Sequence, residues 1–167
     1  MYIQFIFIAI FIGYTIGMAP VVGYHYGAAN HKEMKNVLKK SLIILSSSAV
    51  VLTAVAILLA RPISSIFVGY DAALLDMTTR AFTICATPFL VMWFNMYASS
   101  FFTALNDGAV SAAISFMRSL ILPVICILVM PEIWHLDGVW YALAGSEILS
   151  AVVSVGFMLA KRKKYKY

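Results

Sequence analysis

Long apolar runs, separated by short polar connections, dominate the sequence. Five runs reach the length of about 20 residues that a helix needs to cross the hydrocarbon of a bilayer. They cover residues 2–26, 38–60, 78–105, 109–130 and 139–160. Each run is continuous, whereas the strands of a membrane β-barrel alternate in polarity over about 10 residues. The pattern therefore predicts an all-α membrane protein with about five transmembrane helices.

Composition leaves almost no room for a soluble domain. The chain is 63% hydrophobic and 11% charged, and its mean hydropathy is +0.94. A soluble domain typically has about 45–50% apolar and about 25% charged residues. Residues 1–160 are therefore predicted to form one transmembrane domain, and residues 161–167 a basic tail.

The basic residues are segregated along the chain. Nine of the twelve lysines and arginines fall in residues 28–40 or in the tail at 161–167. Four predicted helices separate these segments, so they share one face of the membrane. Cytoplasmic loops carry the excess of lysine and arginine, which predicts an inner or plasma membrane protein with a cytoplasmic tail and Met1 outside. We interpret the lysines of residues 31–40 as topology determinants and contacts for lipid phosphates. The net charge of +5 therefore does not indicate nucleic-acid binding.

The chain begins directly with an apolar run, at Tyr2-Ile3-Gln4-Phe5, without the positive segment of a signal peptide. An external N-terminus with no preceding charge is unusual for a first helix. We therefore expect this helix to be internal to a longer polytopic protein, of which the chain is a C-terminal portion.

The sequence lacks a recognisable catalytic set. It has no HExxH, P-loop or GxSxG motif, and no paired cysteine or histidine ligands. We therefore expect neither an enzyme nor a metal site, and we favour transport or a structural function.

Two full charges lie deep in predicted spans, Arg118 in the fourth and Glu147 in the fifth. Charges at this depth cost about 2.5–3.5 kcal/mol each on insertion scales, and they usually face a partner or a water-filled cavity. The spans are consecutive, and the long arginine side chain can cover the difference in depth. One interpretation is a permanent ion pair that holds the helices together; the other is a cavity-lining group or a proton-linked switch.

Further candidates for a substrate or ion pathway are less distinctive. Asn95 lies near the middle of the third span, where an amide either bonds a neighbouring helix or lines a cavity. Tyr14 and Met92 are candidates for an adaptable apolar wall, although such side chains also pack ordinary helices.

Prolines and glycines mark points at which helices bend or end. Pro20, with Gly17 and Gly23 nearby, predicts either close helix packing or a flexing segment in the first span. Pro88 predicts a bend in the third span. Residues 31–40 have the apolar spacing of a short interfacial helix, and Arg61-Pro62 predicts the end of the second span.

The segment Gly17-Met18-Ala19-Pro20-Val21-Val22-Gly23-Tyr24-His25-Tyr26-Gly27-Ala28-Ala29-Asn30 resembles the signature of the multidrug and toxic compound extrusion (MATE) family. The hairpin at 98–106, the run Asp137-Gly138-Val139-Trp140 and the basic tail are also similar to that family, so the resemblance extends over essentially the whole chain.

This resemblance implies a transporter of twelve helices in two lobes, of which the chain corresponds to helices eight to twelve. It implies an antiporter that exports small organic cations or other drugs in exchange for Na⁺ or H⁺, without a cofactor beyond that ion. The missing N-terminal lobe is then the expected partner. Two alternatives remain at this stage: a lipid-linked saccharide flippase of the same superfamily, and a small membrane accessory or scaffold protein.

Overall fold

The structure is a computed structural model that describes residues 2–167; Met1, which the predicted topology places outside, is not among them. Its helices are α1 (Tyr2–Gly27), α2 (His31–Val68), α3 (Ala72–Ala86), α4 (Phe89–Ala104), α5 (Gly108–Phe116) and α6 (Leu122–Tyr165), with a π-helical turn at Met117–Ile121 between the last two. Within the described residues, five helical stretches are long and apolar enough to span a membrane. The predicted all-α membrane fold is therefore confirmed.

Short connections with polar caps separate the helices. Asn30 accepts a hydrogen bond from the backbone N–H of Glu33, and Asp71 accepts from the N–H groups of Ala73 and Leu74. Asp107 caps α5 by accepting a hydrogen bond from the N–H of Val110. These side chains supply acceptors for N–H groups that the first turn of a helix leaves without partners.

Helix α4 lies at the centre of the bundle and contacts α1, α2, α5 and α6. Half of its residues are buried, and Phe101 and Phe102 are among the most enclosed side chains in the core. In contrast, the outer surfaces of the peripheral helices are strongly apolar: Leu58 is 77% exposed and Ile66 is 78% exposed. This arrangement encloses α4 and leaves mostly aliphatic side chains on the outer surface.

The two basic segments share one end of the bundle. Tyr26, at the end of α1, packs its ring against Tyr165, near the end of α6. Asp107, between α4 and α5, lies 3.7 Å from the Lys161 ammonium and 3.8 Å from that of Lys164. We call this the basic end; Arg80 and Asp137 form an ion pair of 2.6 Å at the opposite end.

Helix α2 is longer than predicted in both directions. The expected interfacial helix at 31–40 forms the first turns of α2, and Arg61-Pro62 does not end the helix, which continues to Val68. A proline within a helix removes one backbone hydrogen bond, whereas ending the helix would expose several unpaired groups. Here the single loss is tolerated, so the predicted end at Arg61-Pro62 is wrong, whereas residues 31–40 are helical as predicted.

The third predicted span is broken where Pro88 predicts a bend. It begins earlier than expected, at Ala72, and α3 ends at Ala86. Pro88 has no N–H to donate to the carbonyl of Ile84, which instead accepts from the N–H and the hydroxyl of Thr87. Helix α1, by comparison, runs without interruption across Pro20.

In the structure, the connection between the fourth and fifth spans is much shorter than the gap of residues 131–138 that separates the two predicted spans. Helical structure continues on both sides of a break at Trp134 and His135, where His135 has a φ of 51°. Pro131 does not end the fourth span, which reaches His135, and the next span begins at Asp137.

Candidate functional site

Four polar side chains from α4, the π-helical turn and α6 meet inside the bundle: Asn95, Arg118, Glu147 and Ser154. The sequence suggests Arg118 and Glu147 as a pair and singles out Asn95 separately, and the structure brings all three together. We call this set the polar cluster.

Arg118 and Glu147 form a two-pronged ion pair. The guanidinium Nη2 lies 2.9 Å from Oε1, and Nε donates to both carboxylate oxygens at 3.1 Å. The side chains are 20% and 16% exposed, respectively. Paired donors match the planar carboxylate and fix its orientation. The contact agrees with the ion pair that the sequence predicts; whether it acts in transport stays a prediction.

Asn95 and Ser154 complete the polar cluster on its buried side. The Asn95 amide nitrogen donates to Glu147 Oε2 at 2.8 Å and to the main-chain carbonyl of the same residue at 3.1 Å. The amide oxygen accepts from the Ser154 hydroxyl at 3.0 Å. Both Asn95 and Ser154 are fully buried. Ser154 does not stand out in the sequence, because serines in membrane helices usually bond to their own helix backbone.

The π-helical turn at Met117–Ile121 carries Arg118. Its hydrogen bond runs from the N–H of Leu122 to the carbonyl of Met117, one residue further back than in an α-helix. Pro123 follows directly, and its ring would clash with the carbonyl of Ser119 in a regular α-helix. The wider turn relieves this clash and rotates Arg118 relative to the rest of the span. Such turns often occur at functional sites, and Pro123 is the one sequence signal that indicates it.

A cavity of about 330 Å³ lies on one side of the ion pair. Its wall combines apolar and aromatic side chains with the two charged groups, and includes Phe82, Phe89, Met92, Trp140 and Glu147. A mostly apolar cavity with a few convergent polar groups is typical of small-molecule sites. Met92 therefore lies where the sequence suggests an adaptable wall.

A second cavity, of about 550 Å³, lies between α1, α4 and α5. Hydroxyl groups line part of it, and Thr103, Ser111, Ser99 and Ser115 are linked in that order by contacts of 2.7, 3.0 and 2.7 Å. Arg118 lines both cavities, and Asn95 lines the second. The polar cluster thus stands between two cavities whose walls are both mostly apolar.

The remaining candidates lie outside the polar cluster. Tyr14 donates a hydrogen bond of 3.1 Å to Ser41 on α2, and Pro20 lines the second cavity. Gly23 allows α1 to approach α4, since a Cβ there would lie 3.4 Å from the Ala104 carbonyl. Gly17 faces open space. Close packing therefore accounts for Gly23 and not for Gly17.

The geometry makes Glu147 the group that can exchange partners. Its carboxylate accepts from two donors, and it faces a cavity from a partly exposed position. A proton or a small cation bound to this carboxylate would compete directly with Arg118. Within residues 2–167, no cluster of three or more His, Cys, Asp or Glu side chains is placed to hold a metal ion.

Comparison with known proteins finds a family model and a solved structure that match this chain. The family model MatE matches residues 1–128. A solved structure, described as the outward-facing conformation of a multidrug resistance MATE family transporter of the MOP superfamily, superposes with a TM-score of 0.88 at 18% identity. The match covers 98% of this chain and 37% of that one. No curated protein matches the chain.

Proposed function

The chain belongs to the MATE family of membrane transporters, and we propose that it forms part of one lobe of a cation-coupled antiporter that exports small organic cations. It spans about 37% of the length of the solved transporter that it resembles. We therefore propose a partner lobe that completes the transport pathway. Substrate sites of transporters built from repeats lie at the interface between the repeats.

The observation that carries this proposal is the position of the Arg118–Glu147 pair between two cavities. A charge pair with a purely structural role needs no open space beside it, because its two members satisfy each other. Here both side chains are partly exposed, Arg118 lines both cavities, and Glu147 lines the first. This is the placement expected of a charge pair that an ion can open.

We propose that the coupling ion, H⁺ or Na⁺, acts at Glu147. When the ion binds, the carboxylate loses its attraction for Arg118, and Asn95 keeps the side chain in position through its hydrogen bonds to Oε2 and to the main-chain carbonyl. The released guanidinium then repels a cationic substrate from the nearby apolar cavity. When the ion leaves, the pair re-forms and the cavity again accepts a cation. Exchange follows because the ion and the substrate favour different states of the same pair.

The apolar cavity fits a flat organic cation. Aromatic rings at Phe82, Phe89 and Trp140 offer apolar surface and cation–π contacts, and Met92 adds an adaptable wall. The volume of about 330 Å³ is at the lower end of the range for drug-sized ligands. The partner lobe would enlarge this space.

Transport assays with everted membrane vesicles test the proposal in the complete transporter that contains this chain. Export of a fluorescent organic cation is measured under an imposed Na⁺ or H⁺ gradient. We expect Glu147→Gln to abolish ion-coupled export while the protein remains folded. The control is Asp137→Asn, since Asp137 pairs with Arg80 in an exposed position at the opposite end. Export by Glu147→Gln at the wild-type rate would reject the coupling role.

We also propose that the basic end faces the cytoplasm of a plasma membrane, as the distribution of lysines suggests. After replacement of Cys85 and Cys126 by alanine, single cysteines at Tyr70 and Lys163 report the two ends. Tyr70 is 82% exposed at the far end. An impermeant thiol reagent added to intact cells should label only Tyr70→Cys; labelling of Lys163→Cys instead would show the opposite orientation.

The partner lobe is tested by expressing the chain alone in cells that lack drug exporters. We expect no drug resistance, because five helices from one lobe do not enclose a pathway. Resistance restored by this chain alone would overturn the proposed need for a second lobe.

A further inference from the structure

Four lysines form a stripe along the first turns of α2: Lys32, Lys35, Lys39 and Lys40, here called the lysine stripe. All four side chains are exposed. Their spacing of three, four and one residues, at 3.6 residues per turn, places them on one side of the helix. Because α2 is continuous from His31 to Val68, these turns belong to the same rod that crosses the membrane.

The lysine stripe lies on the side of α2 that faces away from the other helices of the chain. Ile43, Val50 and Leu58 follow it at helical spacing and are 57%, 58% and 77% exposed. Lys39 lies one turn before Ile43, so its ammonium group reaches the level at which hydrocarbon gives way to lipid headgroups. The charged and apolar parts of this face thus meet the headgroups and the acyl chains of the same leaflet.

The opposite side of these turns is held against the bundle. Met34 and Ser41 are fully buried and Leu45 is 2% exposed. Asn30 caps the helix by accepting a hydrogen bond from the N–H of Glu33. The lysine stripe is therefore carried on a fixed helix rather than on a flexible loop, which reduces the entropy lost when it binds a ligand.

The charge of the lysine stripe is not neutralised by the protein. In residues 2–167, no carboxylate lies within 4.0 Å of these four ammonium groups. The nearest acid in sequence, Glu33, accepts a hydrogen bond from Asn36. Lys161 and Lys164, at the same end of the bundle, instead face Asp107. Four unpaired positive charges at headgroup level therefore select for negative charge in the bilayer.

We propose that the lysine stripe is a binding site for the phosphate headgroups of anionic phospholipids. Each lysine near an anionic membrane surface strengthens binding about five-fold, so the stripe favours anionic over zwitterionic lipid from the surrounding bilayer. The lipid occupies the outer face of α2, away from the polar cluster. The proposal is therefore independent of the coupling mechanism.

Native mass spectrometry of the 167-residue chain in neutral detergent tests this site. The protein is equilibrated with equal amounts of phosphatidylglycerol and phosphatidylcholine that have the same acyl chains, and the ratio of retained lipids is measured. For the double variant Lys35→Gln/Lys39→Gln, we expect preference for phosphatidylglycerol to fall about 25-fold, from two lysines at about five-fold each. The variant Lys35→Arg/Lys39→Arg should retain the preference.

The matched control is Lys163→Gln/Lys166→Gln, which removes the same charge from exposed positions in the tail. A preference that falls equally in the control would show a general charge effect and overturn the site. An unchanged preference in the stripe variant would also overturn it. A final measurement adds inorganic phosphate at about 10 mM as a competitor. If it displaces phosphatidylglycerol, the lysine stripe is a site for soluble anions and the assignment to lipid is wrong.

Discussion

Asn95 holds Glu147 at two points through one amide nitrogen, which donates to the carboxylate at 2.8 Å and to the main-chain carbonyl at 3.1 Å. The contact joins α4, the central helix, to the second half of α6. The amide oxygen is occupied by the Ser154 hydroxyl, and no part of Asn95 is exposed. A single side chain therefore fixes both the position of the carboxylate and the register of two helices.

Replacement of Asn95 by alanine should lower the free energy of unfolding by about 1–2 kcal/mol. The change removes hydrogen bonds between helices and leaves the Ser154 hydroxyl buried without its acceptor. Thermal unfolding in detergent, followed by thiol exposure or circular dichroism, measures the loss. Asn36→Ala is the control, since Asn36 bonds only to Glu33 on an exposed surface. A loss no larger than that of the control would contradict this role for Asn95.

The Arg118–Glu147 pair should show strong coupling in a double-mutant cycle. Arg118→Ala and Glu147→Ala should each cost about 3 kcal/mol, because each leaves a mostly buried charge without its partner. The double variant should lose at least about 1 kcal/mol less than the sum of the single losses. The measurement is again unfolding in detergent.

Arg80 and Asp137 provide the comparison for this cycle. Their ion pair is shorter, at 2.6 Å, but the side chains are 65% and 37% exposed. Exposed pairs contribute about 0–1 kcal/mol, so their coupling should be the smaller of the two. Strictly additive losses at Arg118 and Glu147 would show that the contact does not stabilise the fold.

The sequence predicts Arg118 and Glu147 as a pair because full charges are rare in long apolar runs and these two lie at similar depth on consecutive spans. It does not predict that Asn95 joins them. That contact depends on the rotation of α4 about its axis, which follows from the break at Pro88, and on the orientation of Arg118 in the π-helical turn. Both are local departures from α-helical periodicity, and an apolar pattern does not report them.

The length of α2 is a second feature that the sequence does not predict correctly. Lysines at 32–40 and the Arg61-Pro62 pair are ordinary signs of a helix boundary, yet the helix runs from His31 to Val68. Charged residues are compatible with a helix that leaves the hydrocarbon, and one proline removes only one backbone hydrogen bond. The sequence thus locates the apolar part of each helix better than its ends.

At the basic end, Asp107 should make docking of the final turn of α6 dependent on pH. The Tyr165 hydroxyl donates to its carboxylate at 2.5 Å, the Val110 N–H donates as well, and Lys161 and Lys164 lie nearby. These contacts, the Tyr165 hydrogen bond foremost, lower the pKa of Asp107 below its ordinary value of 3.8. Its contribution is therefore fully present above pH 3.8 and is lost as pH falls through the lowered pKa.

Hydrogen exchange of residues 158–167, measured by mass spectrometry from pH 7 down to pH 2, tests this dependence. Each sample is compared with Asp107→Asn at the same pH, which removes the effect of pH on the exchange chemistry. The variant should exchange faster at pH 7, and the difference should vanish at the acid end. A difference that stays constant to pH 2 would show that ionisation of Asp107 does not hold the tail.

Gly138, near the start of the fifth span, should not tolerate a side chain. A Cβ at this position would overlap the carbonyl of Met130 and the backbone of Pro131. Its φ is not positive, so crowding rather than backbone conformation requires glycine here. Gly138→Ala must push the two spans apart at the break near His135, and overpacking of this kind costs about 1–3 kcal/mol.

Gly156→Ala is the matched control, because Gly156 lies inside the same α6 and a Cβ there meets no atom within 4 Å. Alanine is favoured over glycine in a helix interior by about 1 kcal/mol, so this variant should be neutral or more stable. The two substitutions add the same methyl group to the same helix and should change the unfolding temperature in opposite directions. If Gly138→Ala proves as stable as Gly156→Ala, the close approach of the two spans at Met130 is not a feature of the folded protein in detergent.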